Sequence, residues 1–162
     1  MGIDISVITV SDRCARGIRE DRSGPLAAQL LGDAGFTVPP VLVVADEIPL
    51  IREAVRTAGI HSAVVLTTGG TGVAPRDVTP EAMDGLLVTE LPGLAEALRR
   101  RGADAGVHSA VLSRGRAGLM LVGDRRVLVV NMPGSPGGVR DALSVLIGVI
   151  PHVLDQLAGG DH

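Results

Sequence analysis

Two aspartates and a cluster of glycines carry the chemistry open to this sequence. Between Thr67 and Glu81 three glycines fall in four positions, Gly69, Gly70 and Gly72, flanked by the hydroxyls of Thr68 and Thr71 and followed by Arg76 and Asp77. Glycine permits positive φ and lets backbone N–H groups close on an anion with no Cβ in the way. Thr79 suits an N-cap and Pro80 a first helical position, so a helix is expected from Thr79 to about Leu87 with its positive end near the loop. Asp77 stands just ahead of that cap. A carboxylate beside a phosphate-binding loop repels the phosphate unless a cation stands between them, so the pairing points to Mg2+. Asp46 is the second candidate, just past an apolar strand, where an aspartate serves as readily as a cap or turn residue. A glycine-rich turn alone is roughly as often punctuation as a phosphate site.

The elements that must hold these residues alternate along the chain. Residues 3–10 alternate and then run apolar, as a first strand, and end at Ser11, Asp12 and Arg13. Residues 16–22 are dense in charge and read by default as a solvated loop. Ser23 or Gly24 then caps a helix with Pro25 in its first turn, stopped by Gly35. A second strand at residues 41–44, delayed by Pro39 and Pro40, leads directly to Asp46. The next helix has Pro49 in its first turn and Ile51, Ala54, Val55 and Ala58 on one face before Gly59. Residues 63–66 are continuously apolar and suit a parallel strand covered on both faces. A helix over residues 92–101 follows, then short strands at 110–113 and 118–122. The turn at residues 123–126 makes a hairpin with the strand at 127–130. Residues 131–138 form a second glycine-rich loop, opening onto a long helix over 139–157.

The bulk properties narrow the field. A chain of 162 residues has the size of one ordinary domain, expected to occupy residues 1–162. A net charge of -3 gives no electrostatic footprint for nucleic acid, and Arg99, Arg100 and Arg101 read as the solvated end of a helix. The longest apolar stretch, residues 142–154, is too short to span a bilayer and reads as a buried helix. The N-terminus lacks a basic n-region, so neither signal peptide nor membrane association is expected, and a cytoplasmic location follows. There is no lysine, which removes a Walker-A or Schiff-base lysine. One cysteine, Cys14, allows no disulfide framework, and the four histidines lack ligand spacing for zinc. With no Trp or Tyr and only Phe36, a ring-shaped ligand would rest on peptide planes, aliphatic groups and arginine.

Strands alternating with helices predict a three-layer α/β/α domain around a mostly parallel sheet, with the carboxyl ends of the parallel strands along one edge. Ser11 to Arg13, Asp46, residues 68–77 and residues 131–138 all follow expected strands and so meet at that edge. Two carboxylates, two glycine cradles, hydroxyls and arginine fit a phosphorylated small molecule or a nucleotide. A dinucleotide-binding Rossmann fold is disfavoured, because the glycine loop follows the third strand and no Gly-x-Gly-x-x-Gly follows the first.

Thr68 to Gly72 with Arg76 to Ala82, preceded by Ser11-Asp12-Arg13 and followed by Asn131 to Pro136, resembles the MogA/MoaB family of molybdenum-cofactor biosynthesis and is similar to the gephyrin G domain. The resemblance covers nearly the whole chain. It implies a homotrimeric enzyme that transfers AMP from Mg-ATP to the terminal phosphate of molybdopterin, releasing pyrophosphate. The product would pass to a molybdenum-insertase partner. By the same resemblance Asp46 and Asp77 would be catalytic and act through Mg2+. Ser11, Asp12, Thr68, Gly69, Gly70, Thr71, Gly72, Ser113, Asn131, Pro133, Gly134 and Ser135 would line the nucleotide and pterin sites. A catalytically weak or inactive MoaB-type pterin-binding scaffold is the alternative. The related domain of molybdenum insertases and CinA-like proteins is a further one.

Overall fold

The computed structural model describes residues 2–160. Six strands form one sheet: β1 (Ile5–Val10), β2 (Leu42–Val44), β3 (Val64–Thr68), β4 (Leu87–Glu90), β5 (Ala117–Val122) and β6 (Arg125–Met132). Their spatial order is β2-β1-β3-β6-β5-β4. The first four in that order run parallel, whereas β5 is antiparallel to both β6 and β4. The α/β expectation therefore holds, and the expected hairpin is β5–β6, extended by one more antiparallel strand.

Side chains leave opposite faces of a strand in turn, and both faces of this sheet are covered. Ile5, Val7, Val64, Leu66, Leu128 and Val130 enter a core with helices α2 (Ser23–Asp33), α5 (Pro92–Asp104) and α6 (Pro136–Leu157). Ile8, Val10, Val65, Val127 and Val129 point the other way, onto α3 (Ile48–His61) and the residues around α4 (Thr79–Ala82). One further helical turn, α1 (Asp12–Ala15), leaves the end of β1.

Several elements depart from the sequence reading. The helix expected from Thr79 to about Leu87 is a single turn, and the chain re-enters the sheet as β4, whose burial alternates. Thr79 does not cap that helix. Val78 holds the cap position, and the Thr79 hydroxyl instead donates to Gly69 O at 2.9 Å. Residues 110–113 are not a strand: His108–Leu112 forms a 3-10 helix. Gly59 does not stop α3, which continues to His61 with Gly59 buried in it. The start of α2 is served by Asp21 rather than Ser23, for Asp21 Oδ1 accepts from Gly24 N–H at 3.0 Å. Arg99 is not simply solvated; its guanidinium donates to Ser113 O and Gly115 O. Finally, α6 has 22 residues and the length and apolar composition to cross a bilayer, contrary to the reading of its apolar stretch as too short. Only its inner face is buried: Val139, Ala142, Leu143, Leu146 and Ile150 lie in the core, against α2 and α5.

Candidate functional site

Each parallel strand ends in a polar segment, and the segments are bonded to one another. Beyond β1, Ser11 caps α1, its hydroxyl accepting from Cys14 N–H at 3.2 Å. Beyond β2, Asp46 meets Asp12 in a reciprocal pair. Asp12 N–H donates to Asp46 Oδ2 at 2.8 Å, and Asp46 N–H donates to Asp12 Oδ1 at 3.0 Å. That exchange satisfies two loop donors and fixes both carboxylates relative to the sheet edge.

Beyond β3 the chain turns sharply through Gly69 (φ +103°) and Gly70 (φ +67°). No side chain fits there. A Cβ on Gly69 would lie 2.3 Å from Val10 O, and one on Gly70 would lie 2.4 Å from Thr79 Oγ1 and 3.0 Å from Asp46 Oδ1. Asp77 closes the far side of this excursion: its Oδ2 accepts from Ala74 N–H at 3.0 Å, and its own N–H donates to Ala74 O at 2.9 Å.

Beyond β6, Gly134 packs against Gly69, a Cβ there lying 3.1 Å from Gly69 Cα. Gly69 N–H donates to Met132 O, the Thr68 hydroxyl donates to Pro133 O at 2.6 Å, and Ser23 Oγ donates to Gly134 O at 2.6 Å. Ser135 caps α6, so the positive end of a long helix opens beside the first glycine turn.

Together these segments surround a cleft of about 540 Å³. Of the residues expected at a site, Ser11, Asp12, Asp46, Thr68, Gly69, Gly70, Asp77, Gly134 and Ser135 line it. Thr71, Gly72, Ser113, Asn131 and Pro133 do not. Ser113, Asn131 and Pro133 face a separate small recess beside Arg99 and Leu98. Asn131 is buried and works inside the sheet, its amide donating to Thr67 Oγ1 and its carbonyl accepting from Arg116 N–H. Thr71 and Gly72 offer their carbonyls to Arg114.

The cleft also contains Arg13, from the strand-end segment expected at this edge, and Arg19, Glu20, Asp21 and Arg22, from the stretch expected by default to be solvated loop. Thr9 was read only as a strand residue, yet its hydroxyl donates to Asp21 Oδ2 at 2.7 Å and so holds that loop to β1. The charge density of residues 16–22 was the available signal; Thr9 gave none beyond an ordinary alternating position.

Electrostatics separates the two paired aspartates. At Asp12 burial acts to raise the carboxyl pKa, but the Asp46 N–H and the Arg76 guanidinium outweigh it and hold the group below its ordinary value. Arg76 forks onto Asp12 with contacts of 2.9 and 3.0 Å. Asp46 is raised, chiefly by burial, with the charges of Asp12 and Asp77 adding and the Asp12 N–H opposing. A carboxylate raised in this way is one that a bound cation would return to its charged form. No group of three or more His, Cys, Asp or Glu is placed to hold a metal ion among the described residues.

Comparison with known proteins agrees with this architecture. The family model for a probable molybdopterin binding domain matches residues 6–152. A molybdenum cofactor biosynthesis bifunctional protein of Synechococcus elongatus is 43% identical over 162 residues, covering 99% of this chain and 49% of that protein, so the chain spans about half of that relative. A molybdopterin adenylyltransferase of Helicobacter pylori is 35% identical, covering 97% of this chain and 89% of that protein. The solved structure of a molybdopterin biosynthesis protein from Mycobacterium abscessus superposes with a TM-score of 0.88 at 46% identity, covering 96% of each chain. By sequence, fold and the order of its strand-end loops, the chain belongs to the MogA/MoaB family of molybdenum-cofactor biosynthesis.

Proposed function

We propose that this chain is a molybdopterin adenylyltransferase, moving AMP from ATP to the terminal phosphate of molybdopterin. The observation that carries the reading is the meeting of Asp46 and Asp77 with the Gly69–Gly70 turn at one cleft. The Helicobacter pylori relative named for this activity supports it.

A terminal phosphate oxygen of molybdopterin attacks the α-phosphorus of ATP. The new P–O bond forms as the bond to the bridging oxygen breaks, and its electron pair leaves with pyrophosphate. The attacking phosphate is already an anion near neutral pH, so no protein base or nucleophile is required. The protein's work is to bring two polyanions together and hold them in line. Arg13, Arg19 and Arg22 supply cations to the lining of the cleft, and the start of α6 at Ser135 supplies a helix terminus for a phosphate.

The residues present suit Mg2+. Asp46 and Asp77 would hold it, because both line the cleft and the glycines leave room at their carboxylates: a Cβ on Gly70 would lie 3.0 Å from Asp46 Oδ1, and one on Gly72 would lie 2.8 Å from Asp77 Oδ2. Hard oxygen donors and few protein ligands match the habit of this ion, which keeps water and substrate phosphates as its remaining partners. When bound, it supplies charge neutralisation on the phosphate oxygens.

The test incubates purified protein with molybdopterin and Mg-ATP and follows adenylylated product and pyrophosphate by chromatography, with Asp77→Asn alongside. Product from the wild type and none from the variant, with molybdopterin binding retained in both, is the expected result. Pterin binding without product, where an active relative turns over, would make the chain a binding or scaffold protein instead.

A further inference from the structure

Asp77 is carried on an excursion whose tip, Val73 to Arg76, is exposed. Its internal bonds, Ala74 N–H to Asp77 Oδ2 and Asp77 N–H to Ala74 O, tie Asp77 only to the tip itself. At the base, Thr79 ties Gly69 and Gly70 to the start of α4. Neither set fixes where the middle of the excursion stands against the sheet.

Two side chains do: Arg76 ties the tip to Asp12 through a largely exposed ion pair, and Arg114 holds the arms themselves. Arg114, in the link between the 3-10 helix His108–Leu112 and β5, donates from Nε to Gly72 O at 2.7 Å and from Nη2 to Asp77 O at 2.7 Å. Its Nη1 pairs with Glu81 Oε1 in α4, and its backbone N–H donates to Thr71 O at 2.7 Å. A single planar cation thus joins both arms of the excursion to the following helix and anchors them to the segment entering β5. Arg114 is not among the cleft residues, and each of its three guanidinium nitrogens donates to a carbonyl of the excursion or to the Glu81 carboxylate. It is therefore not placed as a phosphate ligand.

We propose that Arg114 is a positioning residue, bracing Gly72 and Asp77 so that the Asp77 carboxylate is presented to the cleft in one fixed orientation. This rests on the adenylyltransferase reading above for its catalytic consequence, though not for the brace itself. Lysine cannot replace it fully, because an ammonium is a point donor and lacks the fork that spans two carbonyls and a carboxylate.

Wild type, Arg114→Met and Arg114→Lys are compared by hydrogen exchange of the peptide spanning residues 70–78 and by steady-state adenylylation. In Arg114→Met the protected amides of Ala74 and Asp77 should exchange about tenfold faster, the equivalent of one to two lost hydrogen bonds, while β3 and β6 keep wild-type rates. Its kcat should fall about 100-fold, as for a misplacement near 1 Å, with KM for molybdopterin within about twofold of wild type. Arg114→Lys should fall between the two on both readouts, and it decides the matter if Arg114→Met does not fold. Faster loop exchange with unchanged kcat reduces Arg114 to a structural clamp and overturns the proposal. Lost kcat with unchanged exchange overturns it in favour of a direct substrate contact. A wild type that makes no adenylylated product defeats the proposed function alone, and the exchange rates then decide whether Arg114 braces the loop.

Discussion

Gly70→Ala probes the turn that brings β3 up to the cleft. At φ +67° an L-residue carries a left-handed cost of about 1–2 kcal/mol. The new Cβ would also lie 2.4 Å from the Thr79 hydroxyl, which is buried and holds Gly69 O. Displacing that hydroxyl sacrifices a buried bond and strands a carbonyl, about 1–3 kcal/mol more. The sum, about 2–5 kcal/mol, corresponds to a fall in Tm of about 4–20 °C for a chain of this size.

The two terms can be separated by a double-mutant cycle in urea. Thr79→Ala removes the obstructing oxygen, so Gly70→Ala made on that background should cost only the left-handed term, about 1–2 kcal/mol. The coupling between the two sites should then be about 1–3 kcal/mol, the size of the bond counted twice in the single variants. Strict additivity, or a cost for Gly70→Ala below about 0.5 kcal/mol, would refute the geometry of the turn. The same methyl would sit 3.0 Å from Asp46 Oδ1, so under the proposed Mg2+-dependent function whatever of the variant remains folded should need more Mg2+ for half-maximal activity.

Thr68→Val keeps the shape of its side chain but removes the 2.6 Å bond to Pro133 O, and should cost about 1–3 kcal/mol in urea unfolding by loosening one glycine turn from the other. An unchanged midpoint would mean that water replaces that bond. Glu81 is held below its ordinary value of 4.5, first by the bond from Arg114, against an opposing burial effect. A depressed carboxylate contributes stability above its unfolded pKa and loses it as pH falls through the folded one. Glu81→Gln should therefore be destabilised at pH 7, with the gap to wild type closing below pH 4.5. A gap constant across that range would separate Glu81 from the Arg114 cation.

What could be read from the sequence was set by strand periodicity and by position in the chain. β1, β3 and β6 carry apolar residues on both faces, a pattern that suits a doubly covered sheet, and each leads into a polar segment. Asp46 was legible because it stands two residues past β2. β4 was lost because Leu86, Leu87 and Val88 extend an apolar pattern that local sequence reads equally well as helix. The 3-10 helix His108–Leu112 was lost for the same reason. Arg114 and Arg116 gave no local signal, since their partners lie more than 25 residues away: Gly72, Asp77 and Glu81 for one, Pro80, Asp84 and Glu90 for the other.

The position of the cleft follows from connectivity more than from any motif. From β1 the chain crosses by α2 over one face to reach β2, and from β2 it crosses by α3 over the other face to reach β3 on the opposite side of β1. The loops leaving β1 and β3 therefore part in opposite directions, and a crevice opens between adjacent strand ends. Val10 O lies 2.3 Å from where a Gly69 Cβ would be, which places the first glycine at the floor of that crevice. A side chain there would fill the opening that the topology creates. The glycines are thus required at a place in the sheet where the backbone itself can approach a ligand, and Asp46 and Asp77 line the same cleft.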